Sequence, residues 1–336
     1  GQAVAALPGG PHNETSFPVP DAKTLAEMRK ATFYALVADS VENESAAEGS
    51  YGMEAVTDIP ITGFHGCSAP FKGNVYLPKK ASGPVPVITF AHGFTEGGKL
   101  VDRMQRNRLF APLVGMGFAV VAHQTGGALD YCDSSHDQLQ MLDWARGSPY
   151  ASRLDFGRVV LMGYSMGGRA TLKNAADASV VGGYGVRAVV TLFPQCSNGC
   201  GVPVKSAPVQ FVAGDMDGIA PWQSTRESFS SSRANKTFAK LPGFMHHPTA
   251  QQWSKTLVPA TASFLKCALS TDQKSCAAAF DGQESCTYSC SNCGCDHCAP
   301  CLPCWGSSPP AWCASKCASC SACRKCDECS SCRTGS

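Results

Sequence analysis

The sequence predicts an α/β fold, in which a mostly parallel sheet is covered by helices on both faces. Three observations favour this class. Short apolar runs alternate with longer segments of helical periodicity through most of the 336 residues. Two of these runs, 84–91 and 158–162, are almost entirely apolar, which is typical of strands buried on both faces. The second run leads into Gly-Tyr-Ser-Met-Gly-Gly at 163–168, a pattern that turns a strand sharply into a helix.

The elements follow one another in a main domain predicted over 21–280. A proline-containing flexible leader, 1–20, precedes it, and a helix over 22–39 and a surface loop over 40–58 open it. The connection 193–207 is too short for an inserted lid, so the carboxyl edge of the sheet, where ligands bind, is expected to be open. The other elements are predicted as strands at 59–64, 71–77, 84–91, 118–122, 158–162, 187–192, 207–213 and 236–241, and as helices at 103–116, 135–146, 169–177, 221–231 and 248–267.

Ser165 is the candidate nucleophile, because it stands at the centre of the G-x-S-x-G turn between strand and helix. Larger side chains in place of Gly163 and Gly167 are expected to clash with the neighbouring strand and helix. A serine hydroxyl attacks well only when a base removes its proton and an acid orients that base. The sequence should therefore supply both partners after later strands.

Each partner has two candidates. Asp215 and Asp217 follow the strand 207–213, and Asp217 is preferred because it lies deeper in the turn; Asp215 is then a structural carboxylate. His246 and His247 follow the next strand, and His246 is preferred because proline directly after His247 restrains the second imidazole. The order serine, aspartate, histidine is the one this fold class uses.

Backbone amides are the expected donors to a negatively charged oxygen in the reaction. One should be that of Met166, which lies after the nucleophile at a helix N-terminus. The other should be that of Phe94, in the loop His92-Gly93-Phe94 after the strand 84–91. His92 is interpreted as a structural anchor of this loop. The first 280 residues hold no metal-binding motif, and neither a metal nor a cofactor is predicted.

These segments carry a family resemblance, which covers about residues 60–275. The set HGF, GYSMGG, GDMDGIAP and GFMHH resembles the α/β-hydrolases of the dienelactone hydrolase and bacterial polyesterase type, including cutinase-like and poly(ethylene terephthalate) hydrolases. The resemblance implies an α/β-hydrolase fold and a serine ester hydrolase that cleaves small or polymeric carboxylic esters through an acyl-enzyme. It implies a triad of Ser165, Asp217 and His246, oxyanion donors at Phe94 and Met166, and substrate contacts from Tyr164 and Phe94.

Two other readings stay open. Within the same fold, the chain could be a chlorophyllase-like, feruloyl- or acetyl-esterase. From a different class, it could be a non-catalytic surface-binding protein whose working part is the cysteine-rich tail. The presence of serine, acid and histidine in the expected order favours an enzyme.

Residues 281–336 are predicted to form a small cysteine-rich module stapled by disulfides. Fourteen of the 20 cysteines fall between Cys286 and Cys332, where aliphatic residues are too few to build a core. A metal cluster is the competing interpretation of the repeated C-x-x-C spacing. Aromatic residues of the module could present a face to a polysaccharide or polymer surface, or pack as a tiny core. In the main domain, Cys196 could pair with Cys200, and Cys267 with Cys276.

Composition limits the partners and the compartment. A formal net charge of +2 favours neither nucleic acid nor an anionic membrane as a partner. No apolar run reaches the roughly 18 residues that span a bilayer. The cysteines, together with sequons at Asn13, Asn43 and Asn235, indicate a secreted, extracellular glycoprotein. We expect it to be a monomer.

Overall fold

A computed structural model of the chain describes residues 51–61, 72–94, 106–124, 134–196, 200, 203–234, 236–270 and 279. The predictions for the leader 1–20, the helix 22–39, the three sequons and the cysteine-rich module 281–336 lie outside these residues.

The described part of the chain is built on one sheet of eight strands, in the order β1-β2-β4-β3-β5-β6-β7-β8. The two edge pairings β1–β2 and β2–β4 are antiparallel, and all the others are parallel. The loops after β3 and after β5 to β8 therefore meet at one edge of the sheet. The strands are β1 Met53–Pro60, β2 Lys72–Pro78, β3 Val85–Ala91, β4 Ala119–Gln124, β5 Leu154–Tyr164, β6 Val186–Leu192, β7 Val209–Gly214 and β8 Lys236–Leu241.

Helices cover both faces of this sheet. The α-helices are α1 Ala111–Gly115, α2 Ser134–Gly147, α3 Met166–Ala176, α4 Ala178–Tyr184, α5 Trp222–Ser231, α6 Ala250–Gln252 and α7 Val258–Ser270, with π-helical turns at Arg106–Phe110 and Trp253–Leu257 and a 3-10 turn at Ala151–Arg153. Among them, no helix has the length and apolar character needed to cross a membrane.

The core is divided by the sheet into two apolar clusters. Val160 and Met162 of β5 pack in one cluster, with residues of α1 and α7, whereas Val159 and Leu161 pack in the other, with residues of α2, α3 and α5. Successive side chains of a strand point to opposite faces, so a strand covered on both sides is apolar at most positions. This is why the nearly continuous apolar run at 158–162 predicted a buried strand.

Two elements differ from the sequence prediction. Strand β1 covers Met53–Pro60, most of which was predicted as loop. It is an edge strand with half-exposed side chains, so its apolar signal is weak and its pairing with β2 decides its structure. Helix α4 was missed because Gly182 and Gly183 weaken its helical signal. Its N-cap is Asp177, predicted as the last residue of the preceding helix, whose Oδ1 accepts the Ser179 N–H at 2.8 Å.

Candidate active site

The turn between β5 and α3 holds Ser165 in a rarely populated backbone conformation. Ser165 has φ 57° and ψ −119°, in the left-handed region that disfavours residues with a Cβ. The strand ends at Tyr164 and the helix begins at Met166, so a single residue makes the whole reversal. Backbone strain of this kind concentrates at functional sites. The predicted strand–turn–helix context of the nucleophile motif is present.

Gly163 and Gly167 allow the turn to pack closely. A Cβ at Gly163 would overlap the carbonyl group of Gly167, and a Cβ at Gly167 would overlap the carbonyl group of Ala91 at the end of β3. The first turn of α3 therefore lies directly on the end of β3. This close packing is the reason that larger side chains at Gly163 and Gly167 would clash, as expected from the sequence.

Gly167→Ala should destabilise the protein by about 3 kcal/mol, because the added methyl group overlaps backbone that cannot rotate away. The matched control is Gly182→Ala on α4, where a Cβ meets no atom within 4 Å; that change should alter stability by less than about 1 kcal/mol, in the stabilising direction. Urea unfolding of both variants measures the difference. Equal stability of the two variants would contradict the steric explanation.

The structure brings together Ser165, His246 and Asp217. The Ser165 Oγ lies 2.9 Å from His246 Nε2, and His246 Nδ1 lies 2.8 Å from Asp217 Oδ2. A carboxylate can only accept, so Nδ1–H donates to Asp217 and Nε2 is left to accept the serine proton. The side chains of His246 and Asp217 are 6% and 0% exposed. The arrangement can withdraw a proton from the hydroxyl and stabilise the imidazolium that results.

The loop after β7 orients Asp217 and leaves Asp215 at the surface. Asp217 Oδ1 accepts the N–H groups of Ile219 at 2.9 Å and Ala220 at 2.8 Å, which leaves Oδ2 directed at the imidazole. Asp215 is exposed, and its Oδ1 accepts the Gly243 N–H at 2.7 Å. Asp215 thus ties its loop to the next one, in the structural role predicted for it.

The residues predicted to donate to the oxyanion, Met166 and Phe94, lie on two segments that reach Ser165. Met166 is the first residue of α3, where N–H groups have no acceptor within the helix. Phe94 is half-buried in the loop after β3. This loop lies against the serine, since a Cβ at Gly93 would come within 3.0 Å of Ser165 Cβ. The two amides therefore belong to segments that meet at the nucleophile.

His92 anchors the loop after β3. It is buried, and its Nδ1–H donates to the Gly93 carbonyl at 2.7 Å. Burial lowers the pKa of His92, and burial together with His92 lowers that of His123, whose ring centroid is 4.8 Å away. His92 and His123 thus form a buried pair of rings at the ends of β3 and β4, and the lowered pKa values favour the neutral imidazoles.

Tyr164 and His247 lie behind His246. Tyr164 is only 4% exposed, and its hydroxyl donates to the His246 carbonyl at 2.5 Å and lies 2.9 Å from His247 Nδ1. The expectation that the Tyr164 ring contacts substrate does not agree with this position, because the loop carrying His246 covers it. His247, the histidine not preferred as the base, is a partner of Tyr164.

The connection after β6 also contacts the nucleophile. The Gln195 N–H donates to the Ser165 carbonyl at 2.9 Å, a contact that sequence reasoning missed because any residue supplies a backbone amide. The predicted disulfide between Cys196 and Cys200 is present, with a Cα–Cα distance of 4.8 Å. Cys267 is also disulfide-bonded, whereas its predicted partner Cys276 lies outside the described residues. The residues described between β6 and β7 contain no helix.

Comparisons with known proteins agree on one family. Residues 38–298 match the family model described as PET hydrolase-like. The bis(hydroxyethyl) terephthalate hydrolase of Streptomyces coelicolor is 30% identical over 229 residues, which are 66% of this chain and 68% of that enzyme. Cutinase 1 of Thermobifida cellulosilytica is 26% identical over 216 residues, 62% of this chain and 75% of that protein. A cutinase of Thermobifida fusca is 26% identical over 216 residues, 62% of this chain and 65% of that protein.

The family match spans most of the chain, and it includes every strand of the sheet as well as the segments that meet at Ser165. The parallel sheet, the helices on its two faces and the sharp turn at the serine are those of an α/β-hydrolase. The chain belongs to the PET hydrolase-like family of α/β-hydrolases.

Proposed function

We propose that this protein is a carboxylic ester hydrolase that forms an acyl-enzyme on Ser165. The observation that carries the proposal is the chain of two hydrogen bonds from Ser165 through His246 to Asp217. The three groups come from the ends of three different parallel strands, in the chain order used by α/β-hydrolases. The named relatives, cutinases and a bis(hydroxyethyl) terephthalate hydrolase, support the same reaction class.

Acylation begins when Ser165 Oγ attacks the ester carbonyl carbon and its proton passes to His246 Nε2. The carbonyl π electrons move onto oxygen, which becomes an oxyanion. The intermediate then collapses: the bond to the alcohol oxygen breaks, and the imidazolium returns its proton to that oxygen. The alcohol leaves, and the acyl group stays on Ser165 as an ester.

Deacylation repeats these steps with water as the nucleophile. His246 Nε2 takes a proton from the water as its oxygen attacks the acyl carbon, and the proton later passes to Ser165 Oγ as the acid leaves. Asp217 Oδ2 accepts the Nδ1–H bond throughout, so the imidazole stays in the tautomer whose Nε2 can accept.

The backbone amides of Met166 and Phe94 are the proposed donors to the oxyanion. Both lie on segments packed against Ser165, and the Met166 amide also benefits from the positive end of the α3 dipole. Donors that are held in place by the fold stabilise the developing charge without reorganising.

The proposed substrates are apolar and bulky esters, including aromatic polyesters and their small fragments. Two large apolar side chains, Met216 and Met245, are 64% and 58% exposed beside Asp217 and His246. Their loops are adjacent, since the Met216 N–H donates to the Phe244 carbonyl at 3.1 Å. Exposed apolar side chains on the two loops that carry Asp217 and His246 favour ligands of the same character.

Covalent labelling tests the proposal directly. The full chain should hydrolyse p-nitrophenyl butyrate and bis(hydroxyethyl) terephthalate, and a p-nitrophenyl alkylphosphonate should abolish both activities. Mass spectrometry should find one phosphonyl group per chain, on the peptide that contains Ser165. Labelling at another residue, or retained activity after complete labelling of Ser165, would contradict the proposal.

We also propose that the protein is secreted. The Cys196–Cys200 disulfide and the disulfide-bonded Cys267 support an oxidising compartment, since such bonds are rare in reducing cytosol.

A further inference from the structure

Tyr164 joins the strand that carries the nucleophile to the loop that carries the base. It is the last residue of β5, directly before Ser165, and its ring is buried. The ring lies among those of His246, Phe193 and Trp253, at centroid distances of 5.4, 6.1 and 6.3 Å. These contacts hold the ring between the end of the sheet and the π-helical turn after α6, so the hydroxyl has a fixed position.

The hydrogen bonds of the Tyr164 hydroxyl determine the state of His247. The phenol has one proton, which it donates to the His246 carbonyl at 2.5 Å. His247 Nδ1, 2.9 Å from the phenol oxygen, must then carry a proton and donate it. Burial, with a smaller contribution from His246, lowers the pKa of His247 to about 3, so this imidazole is neutral. Burial and the charge of Asp217 raise the pKa of Tyr164, so the phenol keeps its proton.

The two hydrogen bonds are donated in sequence: His247 donates to the Tyr164 hydroxyl, and that hydroxyl donates to the backbone carbonyl of His246. The ring centroids of His246 and His247 are 5.1 Å apart. A charge on His247 would therefore oppose the imidazolium that forms on His246 during the reaction. Farther along the same loop, Arg108 Nη1 donates to the Pro248 carbonyl at 3.3 Å. The carbonyl of His246 itself, however, accepts its hydrogen bond from the Tyr164 hydroxyl.

We propose that Tyr164 and His247 are positioning residues, which hold the His246 imidazole in line between Ser165 and Asp217. This inference rests on the proposed function, and it gives Tyr164 a role in place of substrate contact. Neither side chain bonds to Ser165 Oγ, so both act through His246. A displacement of about 1 Å in a catalytic group costs on the order of 10²-fold in rate, which sets the size of the expected effect.

Tyr164→Phe tests the hydroxyl while keeping the ring. It should lower kcat for p-nitrophenyl butyrate by about 10- to 100-fold and leave KM within about twofold, because the lost bond orients the base and not the ester. The matched control is Tyr184→Phe, which removes a hydroxyl donated to the Asp143 carboxylate at the surface. The control should keep the wild-type kcat.

His247 supplies a second pair of variants, which do not alter β5. His247→Asn keeps an N–H donor near the phenol and should retain activity within a few fold. His247→Phe removes the donor and should lower kcat by about tenfold at constant KM. If Tyr164→Phe fails to fold, the difference in kcat between these two variants still tests the positioning role.

A proton NMR measurement separates this inference from the proposed function, because it needs no turnover. The His246 Nδ1–H bonded to Asp217 should give a low-field resonance in the wild type, shifted or broadened in Tyr164→Phe and unchanged in Tyr184→Phe. An unchanged resonance with wild-type kcat in Tyr164→Phe would overturn the inference while leaving the hydrolase intact. A raised KM at constant kcat would overturn it in favour of substrate contact. An inactive wild type with the resonance pattern as expected would overturn only the proposed function.

Discussion

Replacing Ser165 with alanine should lower kcat/KM for p-nitrophenyl butyrate by about 10⁴- to 10⁶-fold. The hydroxyl is the atom that bonds to the acyl carbon, and its oxygen lies 2.9 Å from His246 Nε2, the nitrogen that accepts its proton. A small residual rate should survive, because the amides proposed to bind the oxyanion are backbone groups and remain in the variant. The measurement is steady-state hydrolysis with protein purified to exclude host esterases.

The matched control for this change is Ser230→Ala, which removes an exposed hydroxyl from α5. It should keep the wild-type rate, and both variants should unfold at the wild-type temperature. Loss of activity in both variants, or a Ser165→Ala protein that retains more than about 1% of the activity, would contradict the acyl-enzyme proposal.

Asp217→Asn should lower kcat by about 10⁴-fold, whereas Asp215→Asn should change it by no more than a few fold. An amide at position 217 can present its NH₂ group to His246 Nδ1, which moves the ring proton to Nε2 and leaves the ring unable to accept from Ser165. Because the two aspartates are separated by one residue, this pair compares roles within one loop.

The control variant, Asp215→Asn, should change kcat little because asparagine can keep the hydrogen bond that Asp215 makes. Asp215 Oδ1 accepts the Gly243 N–H at 2.7 Å, and the carbonyl oxygen of asparagine can accept the same bond. Stopped-flow or steady-state hydrolysis of p-nitrophenyl butyrate measures both variants. An equal decrease in kcat for the two variants, or a greater decrease for Asp215→Asn, would show that Asp217 is not the acid that orients His246.

Much of the sheet could be predicted from local pattern. Residues 87–91 and 159–162 are almost all apolar because β3 and β5 are covered there on both faces, and a residue pattern reports that burial directly. Strand β1 carries no such pattern, because it lies at the edge of the sheet and all its side chains are half-buried or exposed. Its pairing with β2 is a contact between distant parts of the chain, which no local window contains.

The sequence by itself determined which residues can reach the site. Parallel strands deliver the residues that follow them to one edge, so Ser165, the two aspartates after β7 and the two histidines after β8 had to lie near one another. Only the tertiary structure decided which aspartate faces His246. Both aspartates follow the same strand, and they differ only in the direction in which their side chains point. The amides of Ile219 and Ala220 set that direction. In the same way, Tyr164 is an aromatic next to a nucleophile in the sequence, and only the loop folded over it turns the ring inward.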